Sequence, residues 1–209
     1  MLHNELIPAA DKNSRQLMVM LHGLGDSIEG YRWFPQAMNL PWMNYLLVNA
    51  PDEYFGGYSW FDLQDIVPGV QRSRKRLFDL LDDLRAKGFP TGQTTLGGFS
   101  QGCVMSVEAF LHYPHRLAGV VGISGWVCET DQTLKELSPV AKQQRLLMTH
   151  GVSDPVVPIE RVRPQIPRLK AAGLNVEWRE FPKAHTIHGE LELTVIREFV
   201  RAGYPVVGK

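Results

Sequence analysis

Residues Gly98-Phe99-Ser100-Gln101-Gly102 place one serine between two glycines, in a G-x-S-x-G pattern. The pattern follows an apolar run and opens a small-residue segment, which is typical of a sharp turn from a strand into a helix. The glycines remove the β-carbons that would collide in such a turn, and a helix N-terminus favours negative charge that develops near the serine. We therefore predict Ser100 as a nucleophile toward a carbonyl group. The alternative is a glycine-rich turn in which Ser100 only caps the helix.

The chain also offers an acid that could orient the base of such a nucleophile. In enzymes with this turn, an Asp or Glu and then a His follow the serine along the chain. Asp154 stands in a polar turn directly after the apolar run 145–149. Asp131 also follows Ser100, but no apolar run precedes it. We predict Asp154 as the acid; the alternative is a plain turn aspartate, because Asp-Pro is a common loop dipeptide.

Two of the 7 histidines, His185 and His188, follow Asp154. His185 lies in the loop after the predicted strand 175–181, where its ring can reach other loops at the same sheet edge. His188 stands close to the start of a predicted helix, whose positive dipole end disfavours a protonated ring. We predict His185 as the general base, with His188 as the alternative.

The same histidine pair could in principle bind a metal ion. Such a site needs at least one more ligand, and Glu190 is the only one close in sequence. No H-E-x-x-H pattern is present. We therefore predict no metal and no cofactor.

These residues need a scaffold that brings distant segments together. Nearly continuous apolar runs predict strands at 17–22, 45–49, 94–99, 118–123, 145–149 and 175–181. Amphipathic or small-residue segments predict helices at 70–87, 101–113, 160–172 and 190–201. Strands that alternate with helices are typical of an α/β fold, with a mostly parallel sheet flanked by helices on both faces. We expect a single domain over residues 1–209, a length that can bury one sizeable core.

Composition excludes several classes of function. Lys+Arg and Asp+Glu both number 22, so no net charge favours nucleic acid. The first residues do not resemble a secretory signal, and no apolar run is long enough to cross a bilayer, so we expect no stable membrane insertion. The two cysteines, Cys103 and Cys128, form no recognisable disulfide framework. We expect a cytoplasmic protein.

Four motifs, taken together, resemble the carboxylesterase, acyl-protein thioesterase and lysophospholipase-like family. They are Leu21-His22-Gly23-Leu24-Gly25-Asp26, Gly97-Gly98-Phe99-Ser100-Gln101-Gly102, His150-Gly151 with Asp154-Pro155-Val156-Val157-Pro158, and His185. They occur in the family's order along nearly the whole chain. The resemblance implies an α/β-hydrolase fold and cleavage of carboxylic esters and thioesters.

The resemblance also implies roles for residues whose function cannot be inferred from motif spacing. The backbone N–H groups of Leu24 and Gln101 would form an oxyanion hole. Tyr58, Trp60 and Phe61 would contact the substrate, although aromatic packing onto the core is an equal alternative.

Two positions depart from the family pattern. Cys103 stands where the family usually has glycine, and Pro182-Lys183-Ala184 replaces a glycine-rich approach to the histidine. We expect Cys103 to be a small buried apolar residue and not a catalytic thiol.

The expected function is that of a serine hydrolase with a Ser-His-Asp triad and an acyl-enzyme intermediate. Its partner would be a small-molecule ester or thioester with a short or medium acyl chain. One alternative is an acyl-protein thioesterase or lysophospholipase that acts on longer chains. A more remote alternative is a ligand-binding protein that uses the hydrolase fold without catalysis. The sequence predicts no oligomeric state.

Overall fold

A seven-stranded sheet forms the centre of this computed structural model, which describes residues 2–204. The strands are β1 (Asn4–Ile7), β2 (Leu17–Leu21), β3 (Asn44–Val48), β4 (Asp52–Tyr54), β5 (Gly57–Ser59), β6 (Thr94–Phe99), β7 (Gly119–Ile123), β8 (Arg145–Gly151) and β9 (Asn175–Phe181). The sheet order is β1-β3-β2-β6-β7-β8-β9, and β4 and β5 form a separate antiparallel hairpin. Only β1 runs antiparallel to its neighbour in the large sheet. The carboxyl ends of the other six strands therefore meet at one edge.

Side chains on alternate positions of the strands enter two separate cores. On β2, Leu17, Val19 and Leu21 face one core, whereas Met18 and Met20 face the other. This alternation is what a strand buried on both faces must show, since successive side chains point to opposite sides of a sheet.

Helices cover both faces of the sheet. They are α1 (Phe34–Met38), α2 (Ile66–Ala86), α3 (Gln101–His112), α4 (Thr130–Thr133), α5 (Ile159–Val162), α6 (Gln165–Ala171) and α7 (Gly189–Ala202). Helices α2, α3 and α6 contribute to the first core, and α1 and α7 contribute to the second. No helix in the described part of the chain combines the length and the apolar character that a membrane span requires.

The predicted fold class is confirmed, and each predicted strand is present within two residues of its expected ends. The predicted helix 160–172 is wrong as one element, because Pro164 lies between α5 and α6. Helix α2 begins before the predicted start at residue 70, since Pro68 falls in its first turn, where proline is tolerated.

Two elements escaped the sequence analysis. Strand β1 has four residues with a largely half-buried pattern, which carries little periodic signal. The hairpin of β4 and β5 includes Tyr58 and lies in a part of the chain where the sequence analysis predicted no strand.

Candidate active site

Ser100 occupies a strained turn between β6 and α3. Its backbone has φ 54° and ψ −115°, a region that non-glycine residues rarely adopt. A β-carbon on Gly98 would overlap the Gly102 carbonyl oxygen, and one on Gly102 would overlap the Leu21 carbonyl oxygen. The two glycines thus allow α3 to begin directly against the end of β2. The turn leaves Ser100 8% exposed at the carboxyl edge of the sheet.

His185 follows β9 and lies beside the serine. Its Nε2 is 2.9 Å from Ser100 Oγ, and its ring is tilted against Phe99 with 4.8 Å between the centroids. The side chain is 15% exposed, so the ring is held by its surroundings but remains open on one side.

Asp154 completes a hydrogen-bonded series of three side chains. Its Oδ2 is 2.7 Å from His185 Nδ1, and its Oδ1 accepts the N–H groups of Val156 and Val157, each at 2.9 Å. Burial raises the pKa of the Asp154 carboxyl, but the Val157 N–H, His185 and the Val156 N–H together outweigh it, so the pKa lies below its usual value. Asp154 is therefore a carboxylate at neutral pH.

His188, the alternative base, lies elsewhere. It precedes α7, and its backbone N–H donates to Glu192 Oε2 at 2.6 Å. Its ring lies 6.0 Å, between centroids, from that of Phe181. The structure thus brings His185, and not His188, between the serine and the aspartate.

His150 is a buried neighbour of the acid, and the sequence analysis named it only as part of the His150-Gly151 motif, without a role. Its Nε2 lies 2.8 Å from the Val157 carbonyl oxygen, which can only accept, so Nε2 carries the proton. The same nitrogen is 3.6 Å from Asp154 Oδ2. Burial lowers the pKa of His150, which keeps the ring neutral. His150 thus fixes the turn that carries Asp154, a role that its position at the end of a predicted strand could have suggested.

The turn after β2 lies directly against Ser100. A β-carbon on Gly23 would be 3.1 Å from the Phe99 ring and 3.3 Å from Ser100 Cβ. The backbone hydrogen bonds found among residues 2–204 include none donated by Leu24 or Gln101 N–H. Both predicted oxyanion donors therefore flank the serine without a protein acceptor.

The buried His22 side chain stabilises this turn through hydrogen bonds of both ring nitrogens. Its Nε2 accepts the Ala50 N–H at 3.0 Å, so its Nδ1 carries the proton and donates to the Gly23 carbonyl at 2.6 Å. Burial lowers the pKa of His22, so the ring stays neutral in this role.

Burial of Trp60 and Phe61 corrects the prediction that they contact substrate, because both side chains are 0% exposed. Instead they hold the Gln101 side chain: Trp60 N–H donates to Oε1 at 2.9 Å, and Nε2 donates to the Phe61 carbonyl at 2.8 Å. The Trp60 indole donates to the His22 carbonyl at 2.9 Å. Trp60 and Phe61 thus hold Gln101, the residue next to Ser100, in place. Of the three residues predicted to contact substrate, Tyr58 alone is half-buried and not fully buried.

Cys103 is fully buried in α3, three residues after Ser100. A β-carbon on Gly125 would be 2.6 Å from its Sγ. Burial raises the pKa of the thiol to about 12, so Cys103 stays protonated and is no nucleophile. Among residues 2–204, no three His, Cys, Asp or Glu side chains group in a way that could hold a metal ion.

Two cavities border the loops that carry Asp154 and His185. The first, of about 420 Å³, is lined mainly by apolar residues: Leu63, Ile66, Trp126, Val156, Val157 and Pro158, with Arg161 and Gln165. The second, of about 280 Å³, includes His185 itself and the rings of Tyr31, Trp33 and Phe99, with Asp26, Gly30, Thr186, Ile187, Gly189 and Leu193. The first cavity thus reaches the Asp154 turn at Val156 and Val157, and the second reaches His185.

Known proteins are similar to this chain in sequence. Residues 2–203 match the phospholipase/carboxylesterase family model. An acyl-protein thioesterase 1 of Schizosaccharomyces pombe is 35% identical over 155 residues, which are 68% of this chain and 69% of that protein. A probable carboxylesterase of Oryza sativa subsp. japonica is 28% identical over 92% of this chain and 79% of its own length.

A solved structure gives the same result at the level of the fold. The crystal structure of Zea mays acyl-protein thioesterase 2 superposes with a TM-score of 0.80 at 25% identity, covering 96% of this chain and 98% of that one. Relatives with esterase and thioesterase names indicate that the chain is a hydrolase. Because the family match spans almost its full length, the chain belongs to the phospholipase/carboxylesterase family of α/β-hydrolases.

Proposed function

We propose that this hydrolase cleaves carboxylic esters or thioesters through an acyl-enzyme on Ser100. The observation that carries the proposal is the continuous hydrogen-bonded series from Ser100 Oγ through His185 to Asp154. Three loops that follow β6, β9 and β8 supply its members, so residues far apart in sequence converge on one reacting group.

In the first half of the reaction, His185 Nε2 takes the proton of Ser100 while Oγ attacks the carbonyl carbon. Asp154, a carboxylate held by two backbone N–H groups, stabilises the imidazolium that forms. The bond to the leaving alcohol or thiol then breaks, and His185 gives that group its proton. The acyl group is left on Ser100 Oγ.

In the second half, water replaces the leaving group. His185 takes one proton from the water as the oxygen attacks the acyl carbon, and the bond to Oγ breaks. The proton returns to Ser100, and the carboxylic acid departs. No redox change occurs in either half.

The N–H groups of Leu24 and Gln101 are the proposed donors to the oxyanion in both halves. Their lack of a protein acceptor among the described residues and their position beside Ser100 support this role. The Gln101 side chain contributes indirectly, since its bonds to residues 60 and 61 fix the residue that carries the second donor.

The first cavity is the proposed acyl site. Its apolar lining reaches the Asp154 turn at Val156 and Val157, and a cavity of about 420 Å³ is within the range of small-molecule sites. We propose that short and medium acyl chains bind there, while the second cavity takes the leaving group beside His185. Tyr58 is the remaining aromatic candidate for substrate contact.

A longer acyl chain is the second candidate, and the rim of the first cavity favours it. Leu63 and Val156 are 54% and 65% exposed there, so an apolar chain could continue past the cavity. The acyl-protein thioesterase relatives agree with this alternative. A cytoplasmic location and the absence of nucleic-acid partners stay predictions.

Hydrolysis of p-nitrophenyl esters from acetate to laurate tests both candidates. We expect turnover that Ser100→Ala abolishes, with the highest kcat/KM between butyrate and octanoate. A maximum at laurate would support the longer-chain candidate instead. Equal rates for the wild type and Ser100→Ala across the series would contradict the proposed function.

A further inference from the structure

A buried ion pair lies in the segment that carries His185. Lys183 Nζ is 2.6 Å from Glu192 Oε1 and 2.8 Å from Oε2, and both side chains are 0% exposed. Burial lowers the pKa of Lys183, and the facing Glu192 carboxylate opposes that effect. The hydrolytic steps proposed for Ser100 make no use of this pair.

Stability alone is a poor explanation for such a pair. Removing two charges from water costs several kcal/mol per ion, and apolar residues of similar volume often replace a buried pair without loss. What a buried pair does provide is a fixed geometry, because its members cannot move apart without leaving a charge unpaired in the core.

The Lys183–Glu192 pair joins the two ends of the short segment that contains His185, the proposed base. Lys183 precedes His185 by two residues, and Glu192 lies in the first turn of α7. Glu192 Oε2 also accepts the His188 N–H at 2.6 Å. Glu192 therefore holds the chain on both sides of His185.

The other side of the same loop is tied to the acid. The Ser153 N–H donates to the Lys183 carbonyl at 3.2 Å. A β-carbon on Gly151 would overlap that carbonyl oxygen, so only glycine permits the close approach. Lys183 thus links the turn before Asp154 to helix α7, with His185 between the two.

We propose that the Lys183–Glu192 pair positions His185 for proton transfer to and from Ser100. Both are positioning residues, since neither touches the reacting atoms. The inference rests on the proposed function, because the geometry it describes serves the triad.

The test is the double variant Lys183→Met/Glu192→Gln, which removes both charges, conserves volume and keeps an acceptor for the His188 N–H. The matched control is Arg163→Met/Glu180→Gln, which removes an exposed ion pair near the same end of β9. We expect the double variant to remain folded by circular dichroism and to lose about 10- to 100-fold in kcat, with KM changed less than about threefold. The control should keep the wild-type kcat.

The low-field proton resonance of His185 Nδ1–H provides a readout that loss of stability alone would not move. It reports the hydrogen bond to Asp154 and needs no substrate. We expect it to shift or broaden in the double variant below its unfolding temperature and to stay in place in the control. A wild-type kcat together with an unchanged resonance would overturn the inference.

Two further outcomes have defined meanings. Should the double variant fail to fold, Glu192→Gln alone replaces it: a reduced kcat in folded protein supports positioning, and a wild-type kcat overturns it. Should the wild type hydrolyse neither esters nor thioesters, the proposed function fails, and the resonance alone then decides for or against the positioning role.

Discussion

Single residues decide which of two histidines serves as the base. Both His185 and His188 follow the predicted acid. The sequence favours His185 because it follows a predicted strand, whereas His188 stands close to the start of a predicted helix. The structure supplies the missing information: His185 spans Ser100 and Asp154, whereas the backbone of His188 is bonded to Glu192.

Alanine substitution of each histidine separates the two roles. His185→Ala should reduce kcat/KM for a p-nitrophenyl ester by about 10³-fold or more, because it removes both proton transfers. His188→Ala should keep kcat/KM within a few fold, since the ring touches neither Ser100 nor Asp154. Steady-state kinetics on the two purified variants measures the difference, and a reversed order would move the base to His188.

The three members of the series were predictable because each has a local signature: a glycine-flanked serine, an Asp-Pro turn and a histidine after a strand. The supporting residues have no such signature, apart from the place of His150 directly after a predicted strand. His150, Gln101 and Lys183 act through contacts across the fold, such as the 2.9 Å bond from Trp60 N–H to Gln101 Oε1. Burial of Trp60 and Phe61 depends in the same way on tertiary packing, and an aromatic-rich segment alone does not reveal it.

Helices α2 and α3 contact each other through a pair of side chains that includes a titratable carboxyl group. Glu108 of α3 is buried, and its Oε2 is 3.1 Å from Arg74 Nη1 of α2. Burial raises the pKa of Glu108 to about 7, although Arg74 opposes the shift. The folded protein thus retains a proton on Glu108 at pH values where the unfolded chain, with an ordinary pKa of 4.5, has released it.

Burial of Glu108, which Arg74 opposes only in part, should make stability fall as pH rises. The free energy of unfolding decreases between about pH 4.5 and 7 on account of Glu108, by roughly 3 kcal/mol at most. Melting temperatures of Glu108→Gln between pH 5 and 8 should therefore decline less than those of the wild type. Asp79→Asn on the exposed face of α2 is the control and should follow the wild type. Equal slopes for Glu108→Gln and the wild type would contradict this assignment.

Strands and helices were predictable where a continuous apolar run or a clear apolar periodicity extends over the whole element. Strands buried on both faces and the amphipathic α2 fall in this class. Proline was decisive elsewhere: Pro164 divides the predicted helix 160–172, whereas Pro68 is accommodated in the first turn of α2. Short elements such as β1 depend on pairing with a neighbour, which local sequence does not encode.

Across the whole molecule, topology explains how distant motifs form one site. The parallel strands β2, β6, β8 and β9 end at the same edge, so the loops that carry Leu24, Ser100, Asp154 and His185 converge there. This convergence was predictable from the strand and helix pattern, since ligand sites in open parallel sheets lie beyond the carboxyl ends of the strands. A single α/β domain over residues 1–209 stays a prediction.

The account is tested most directly by labelling with a serine-directed fluorophosphonate, followed by intact-protein mass measurement. We expect the wild type to gain one adduct, localised to Ser100 by peptide mapping, because the activated hydroxyl attacks phosphorus as it would attack a carbonyl carbon. Ser100→Ala should gain none. An unlabelled wild type, or equal labelling of the wild type and Ser100→Ala, would contradict the assignment of Ser100 as the nucleophile.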